Sequence, residues 1–313
     1  MCWQDQGRAH HPACAWVRAA RGRSGQIPLI PSSPICNLIN GYSRRLGGSM
    51  KKPLLMLLSW FAFGGTAHAN DDLLYRSSVI VTGDREETRV PAIPQGFELA
   101  AQKLTGNPDI AHNPAFASLA TGAPVMVWSY TYHDRMFGTP IHDEQGTRDR
   151  PFDLTFQFDR KRMDHAMALL GEMPWLGARP KLALLVEVTD MARSYMLAAD
   201  GVHGSDLRSS FEDASTRFAI PIIFAKEADL SAIAQDKVDA MSHESLARLQ
   251  SRLGADAILV GHLDWETNEP GWHAVWRLPL GPDGRKWEVA GVNFDAAFRS
   301  AIGGAAKRLR PTK

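Results

Sequence analysis

Apolar and polar positions alternate in several short runs of this chain and recur at helical spacing in others. Between Leu74 and Thr82, Tyr75, Ser77, Val79 and Val81 stand opposite Arg76, Ser78 and Ile80, the period of a half-buried strand. Gly83-Asp84 ends it. Phe97, Ala100, Ala101 and Leu104 share one helical face, which predicts a helix over Gln95–Leu104 that stops at Gly106. Asn107-Pro108 and Asn113-Pro114 punctuate a loop and a short second helix reaching Leu119. Alternation returns at Val125–Tyr132, where Met126, Trp128, Tyr130 and Tyr132 share a face that reads as core. Phe152, Leu154, Phe156 and Phe158 mark a further strand, and Asp159 is placed to cap a helix carrying Met163, Met167 and Leu170. This half reads β-α-α-β-β-α.

Gly171–Pro180 holds two prolines and two glycines and reads as a boundary. Beyond it the strands lose their alternation. Leu182–Val188, Ile220–Ala225 and Ala257–Leu263 are nearly continuous apolar runs, the signature of strands covered on both faces. Tyr195–Ala198 is placed to pair beside the first of them. Leu207, Phe211, Ala214 and Phe218 form a helical stripe opened by Ser205, and Leu246, Leu249 and Leu253 form another opened by Ser242 and closed by Gly254. Thr267–Gly271 and Gly281-Pro282-Asp283-Gly284 are turns around an alternating strand with Trp272, Ala274, Trp276, Leu278 and Leu280 on one side; Trp287–Val292 follows. Asp295 is expected to cap a last helix with Phe298, Ala301, Ile302, Ala305 and Leu309 inward and Lys307, Arg308 and Arg310 at its negative end. The fold class is therefore α+β, as two small α/β sandwich-like subdomains, the second a mixed sheet covered by helices. The expected divisions are residues 70–170, a 171–180 linker and residues 181–313.

Upstream, Met50–Asn70 changes the picture. Two lysines, an apolar run from Pro53 to Gly65 and the exit Thr66-Ala67-His68-Ala69 have the form of a secretory signal peptide, too short in its apolar part to span a bilayer comfortably. Cleavage after Ala69 and a periplasmic location are expected. Residues 1–49 show neither helical nor strand periodicity and are read as an upstream extension, with Met50 the initiator. Ser43-Arg44-Arg45 offers a twin-arginine motif instead, but Leu46-Gly47-Gly48 lacks the bulky apolar pair that should follow.

Downstream of residue 69, acidic residues outnumber basic ones 33 to 27, with no basic stripe, which argues against a nucleic-acid partner. All three cysteines (Cys2, Cys14, Cys36) precede Met50, so the mature chain carries no disulfide, thiolate metal site or thiol nucleophile. No second apolar run approaches bilayer length. No cofactor is implied, and the expected partner is an envelope protein or a cell-wall component.

Three stretches of the second half, Ala219-Ile220-Pro221-Ile222-Ile223-Phe224, Arg252 to Leu263 and Gly271-Trp272-His273-Ala274-Val275-Trp276, resemble a proteobacterial exported family, domain-of-unknown-function family 2066. Tyr75 to Val81 and Leu104-Thr105-Gly106-Asn107-Pro108 also fit its pattern. The resemblance implies export and no defined activity. In topology, the run of helix, Leu-Gly-Ala-Asp-Ala, apolar strand and Gly is similar to α/β domains of envelope-assembly proteins, among them the N-terminal domain of the Tol translocation protein. The first half is similar to small polypeptide-transport-associated domains. Such likeness concerns fold and leaves function open.

The densest polar cluster is His133-Asp134-Arg135, His142-Asp143-Glu144 and Thr147-Arg148-Asp149-Arg150, between two strands. As a solvated hairpin loop its charges pair with one another. As a site, His133, His142 and Asp143 would ligate a divalent metal, with Asp143 or Glu144 as catalytic base of a metal-dependent hydrolase. His243-Glu244-Ser245-Leu246-Ala247 falls short of the zinc-protease motif because Ala247 stands where the second histidine must be. No Gly-x-Ser-x-Gly, Ser-x-x-Lys or phosphate-cradling glycine loop follows the signal. His262 reads as a hydrogen-bonded core histidine. Asp264, Trp265 and Glu266 end an apolar strand, where open α/β sheets often bind ligands, and Trp265 with Trp272 would suit a glycan. A non-enzymatic binding or assembly module fits these features best, with the hydrolase as the alternative.

Overall fold

The computed structural model describes residues 71–138, 149–191, 193–231, 238, 241–268, 270–280 and 285–311. The alternating strands of the first half form a three-stranded antiparallel sheet of β1 (Arg76–Thr82), β3 (Pro151–Phe158) and β2 (Val127–Asp134), in the order β1-β3-β2. Ser77, Val79 and Val81 of β1 face inward with Leu154, Phe156 and Phe158 of β3 and meet Phe97, Ala100, Ala101 and Leu104 of α1 (Glu86–Thr105). The short α2 (Phe116–Thr121) and α3 (Arg160–Leu169) complete that core, and the opposite face of the sheet carries no helix among the described residues. Asp159 caps α3 as expected, accepting a hydrogen bond from the Arg162 N–H at 2.9 Å.

Two expectations need correction here. Helix α1 begins nine residues before Gln95 and runs through Pro91 and Pro94. Each proline removes one i→i−4 bond, but the carbonyls so freed belong to the exposed Glu87 and Val90, while Ala92 and Ile93 are buried against the core. Hydrophobic burial with solvent access to the orphaned carbonyls outweighs the breaker signal. Similarly, Trp128 and Tyr130 are not core. Residues Ala123–Met126 form a 3-10 turn, and a β-bulge between Val127 and Ser129 absorbs Trp128, leaving it 76% exposed. Tyr130 lies 44% exposed on the inward side of an edge strand, with Arg89 4.3 Å over its ring.

The apolar runs of the second half form a mixed sheet of six strands, ordered β5-β4-β7-β8-β9 with β6 also on β4. These are β4 (Leu182–Asp190), β5 (Arg193–Met196), β6 (Ile222–Phe224), β7 (Ala257–Glu266), β8 (Gly271–Leu278) and β9 (Arg285–Val292). Strands β4, β6 and β7 are parallel, and the others join antiparallel. One face packs against α4 (Ser205–Phe218) and α7 (Phe294–Leu309) through Leu184, Val186, Leu259 and Trp276, with Phe211 and Phe298 stacked at 3.8 Å between the helices. The other face packs Ala183, Leu185, Ile258 and Val260 against α5 (Glu227–Ser231) and α6 (His243–Arg252). Gly261 is required by its neighbour, since a Cβ there would lie 2.2 Å from the Trp276 ring. The cap of α7 is Asn293, whose Oδ1 accepts from the Ala296 N–H at 2.8 Å. The expected cap, Asp295, sits inside the first turn and accepts instead from Ser210 Oγ at 2.5 Å. The chain is thus α+β, with a mixed sheet covered by helices.

Residues 171–180 touch both sheets' helices. Trp175 is buried, and its N–H donates to Leu104 O at 2.7 Å. Arg179 donates to Lys103 O at 2.7 Å, Phe218 O at 3.1 Å and Trp175 O at 3.0 Å, with its guanidinium 4.1 Å over the Trp175 ring. Two of those acceptors end helices, so Arg179 meets the negative ends of α1 and α4 at once. Lys307 with Asp109 (2.7 Å) and Arg310 with Glu172 (2.8 Å) tie α7 to the same region. All described residues fall in one compact unit.

Candidate functional site

A cleft of about 1130 Å³ runs between the first sheet and the helices of the second. Its first wall is β1. Five consecutive residues, Arg76 to Ile80, line it. Because successive side chains of a strand point to opposite faces, a strand that lines a cavity with every residue is presenting its edge. Beside that edge runs the α1 stripe Gln95, Leu99 and Lys103, spaced four apart. The facing wall is the α4 stripe Ser210, Asp213, Ala214 and Arg217, continued by Asp295 and Arg299 one turn apart on α7.

The cleft carries an excess of positive charge, with six basic side chains to four carboxylates in its lining. Lys103 Nζ donates to the Arg76 carbonyl at 2.8 Å, and burial, then the charges of Arg76 and Arg179, push its ammonium down to about 8. Burial pulls Arg179 down to about 10. Arg217 is lowered by burial and by Arg299, against the pull of Glu98; it donates to Gln102 Oε1 at 3.0 Å. Among the described residues, Arg76, Lys103, Arg179 and Arg299 form no ion pair with a carboxylate, whereas Arg135, also in the lining, lies 3.7 Å from Asp153. Asp295 is engaged by Ser210. Asp71, Asp153, Asp213 and Asp295 also line the cleft, yet cations that form no ion pair of their own are suited to receiving an anionic group.

The residues singled out in the sequence lie elsewhere. His133 is exposed on β2, with Nδ1 3.8 Å from Asp153 Oδ2. His142, Asp143 and Glu144 lie outside the described residues. Asp264, Trp265 and Glu266 end β7, but strand alternation sends Trp265 to one face and the two carboxylates to the other. Trp265 meets Trp272 edge to face at 5.3 Å, and Glu266 lies 3.7 Å from His273 Nδ1. His262 lies within β7, its Nδ1 3.4 Å from Glu187 Oε2 on β4. Among the described residues, no three His, Cys, Asp or Glu side chains converge so as to hold a metal ion. The cleft cations belong to a strand, three helices and the 171–180 stretch, up to 223 positions apart in numbering from Arg76 to Arg299. No local motif joins them.

Residues 69–176 match a domain of unknown function, DUF8605. The match spans the first sheet, α1 and Trp175, and so one wall of the cleft. It corrects the resemblance to family 2066, because the domain that matches these residues is a different one. A search of curated proteins returns no match. No helix among the described residues is long and apolar enough to cross a membrane.

Proposed function

We propose that the protein is an exported, non-enzymatic binding module of the periplasm that holds an anionic group of an envelope partner in the cleft between β1 and α4. The observation carrying this reading is the set Arg76, Lys103 and Arg299, turned to one cavity without ion-pair partners among the described residues, in a cleft where six basic side chains outnumber four carboxylates. The signal-like Met50–Ala69 supports export, with the mature chain beginning at Asn70. Binding would require the charged form of Lys103, so affinity falls as pH rises through about 8.

The test is expression of residues 50–313 with a C-terminal tag in a Gram-negative host, followed by in-cell crosslinking. Recovery from the periplasmic extract with Asn70 at the N-terminus, and an envelope partner lost when Arg76 and Lys103 are both changed to Glu, are expected. Retention in the cytoplasm, a partner indifferent to those changes, or turnover of an envelope substrate by the purified protein would overturn the reading.

A further inference from the structure

Among the described residues, the edge of β1 that lines the cleft is unpaired. β1 ends its sheet, bonded to β3 on one side only. In an antiparallel pair, alternate residues turn both main-chain groups toward the partner strand, and the residues between turn both away. The Gly83 N–H bonds Arg150 O in the β3 register, which assigns Val81, Val79 and Ser77 to the paired side. Arg76, Ser78 and Ile80 therefore turn outward, and the Arg76 carbonyl is met from that side by Lys103 Nζ. The N–H and C=O groups of Ser78 and Ile80 remain, facing a cavity whose walls carry Lys103, Arg217 and Arg299. Free strand edges are ordinarily blunted by a bulge, a proline or a cover. This edge has none of these among the described residues, and residues of α1, α4 and α7 line the same cleft.

We propose that the cleft receives an extended acidic peptide segment of a partner protein, which pairs with the free edge of β1 as a fourth strand. Main-chain bonds to Ser78 and Ile80 would supply the pairing, and alternate carboxylates would meet the cleft cations. The inference rests on the anion-binding reading and adds to it the chemistry and conformation of the occupant.

The probe is a synthetic eight-residue peptide of alternating Glu and Val, titrated into purified residues 70–313 by calorimetry beside citrate, a small anion with no strand-forming backbone. Two further peptides carry N-methyl groups on the odd or on the even residues, so each blocks one edge of the added strand. Ser78→Pro removes an outward N–H without touching a main-chain bond to β3, and Ser78→Ala controls for the lost hydroxyl that accepts from Thr155 Oγ1 at 3.3 Å. The expected result is that one N-methyl pattern loses more than tenfold in affinity while the other binds normally. Ser78→Pro should weaken the peptide similarly and leave citrate unchanged, and the Ser78 and Ile80 amides should gain exchange protection in the complex. Peptide binding that both N-methyl patterns leave intact, or citrate binding without peptide binding, would overturn strand pairing while leaving the anion-binding reading standing. Absence of both peptide and citrate binding would overturn the two together.

Discussion

The two sheets use the same physics to opposite ends. In the six-stranded sheet, consecutive residues of β4 and β7 go to separate cores, Leu182, Leu184 and Val186 under α4 and α7, Ala183 and Leu185 under α5 and α6. Nearly every position is committed to burial. In the three-stranded sheet only alternate positions are buried; Arg76, Ser78 and Ile80 face away from the helices, and β1 keeps an unpaired edge. A sheet covered on both faces has spent its surface on stability. A sheet covered on one face retains an uncommitted surface and edge, and here its edge faces helices that the covered sheet supplies.

Graded substitutions would test this contrast. Phe298→Ala, in the two-sided core and stacked on Phe211, should cost about 3–5 kcal/mol in denaturant unfolding. A cost below about 1 kcal/mol would show that this core is loosely packed. Arg179→Ala should cost roughly 2–3 kcal/mol, because three carbonyls lose a charged donor where the two halves meet. Hydrogen exchange should locate the loss at the last turns of both α1 and α4; a loss confined to one helix would argue against a shared tie. Asp159→Ala beneath the open sheet and Ser242→Ala beneath the covered one should each cost about 1 kcal/mol through their caps. Ile80→Ala, on the open face, should stay within about 0.5 kcal/mol, read from the same unfolding curves.

Lys103 adds a pH dependence with a defined sign. Folded, it gives up its proton near 8 rather than near 10.5, so between those values the unfolded chain binds more protons. Stability should rise with pH across that window, and the penalty of burying the charge is complete below about 8. Lys103→Met should flatten the rise. An unchanged slope in the variant would place the titrating group elsewhere.

Much of the fold was legible because burial writes itself into local periodicity. The alternation of Phe152 to Phe158, the continuous run Ala257–Leu263 and the caps Asp159 and Ser242 each depend on a few neighbouring residues. Legibility failed where distant partners overruled local signals. Pro91 and Pro94 are breakers by themselves, yet Ala92 and Ile93 keep them helical through burial. Trp128 continues an alternation that a bulge interrupts. Asp295 looks like a cap until Ser210, 85 residues away in the chain, takes its carboxylate.

By itself, the sequence determined the type and order of most strands and helices, which sheet is covered on one face and which on two, and the signal-like form of Met50–Ala69, since each depends on residues within a turn or a strand's length. Only the tertiary structure decided that β1 ends its sheet and that Arg76, Lys103, Arg179, Arg217 and Arg299 meet around one cleft. Charge does not repeat with the period of a helix or strand, so its convergence has no local trace until packing brings the walls together.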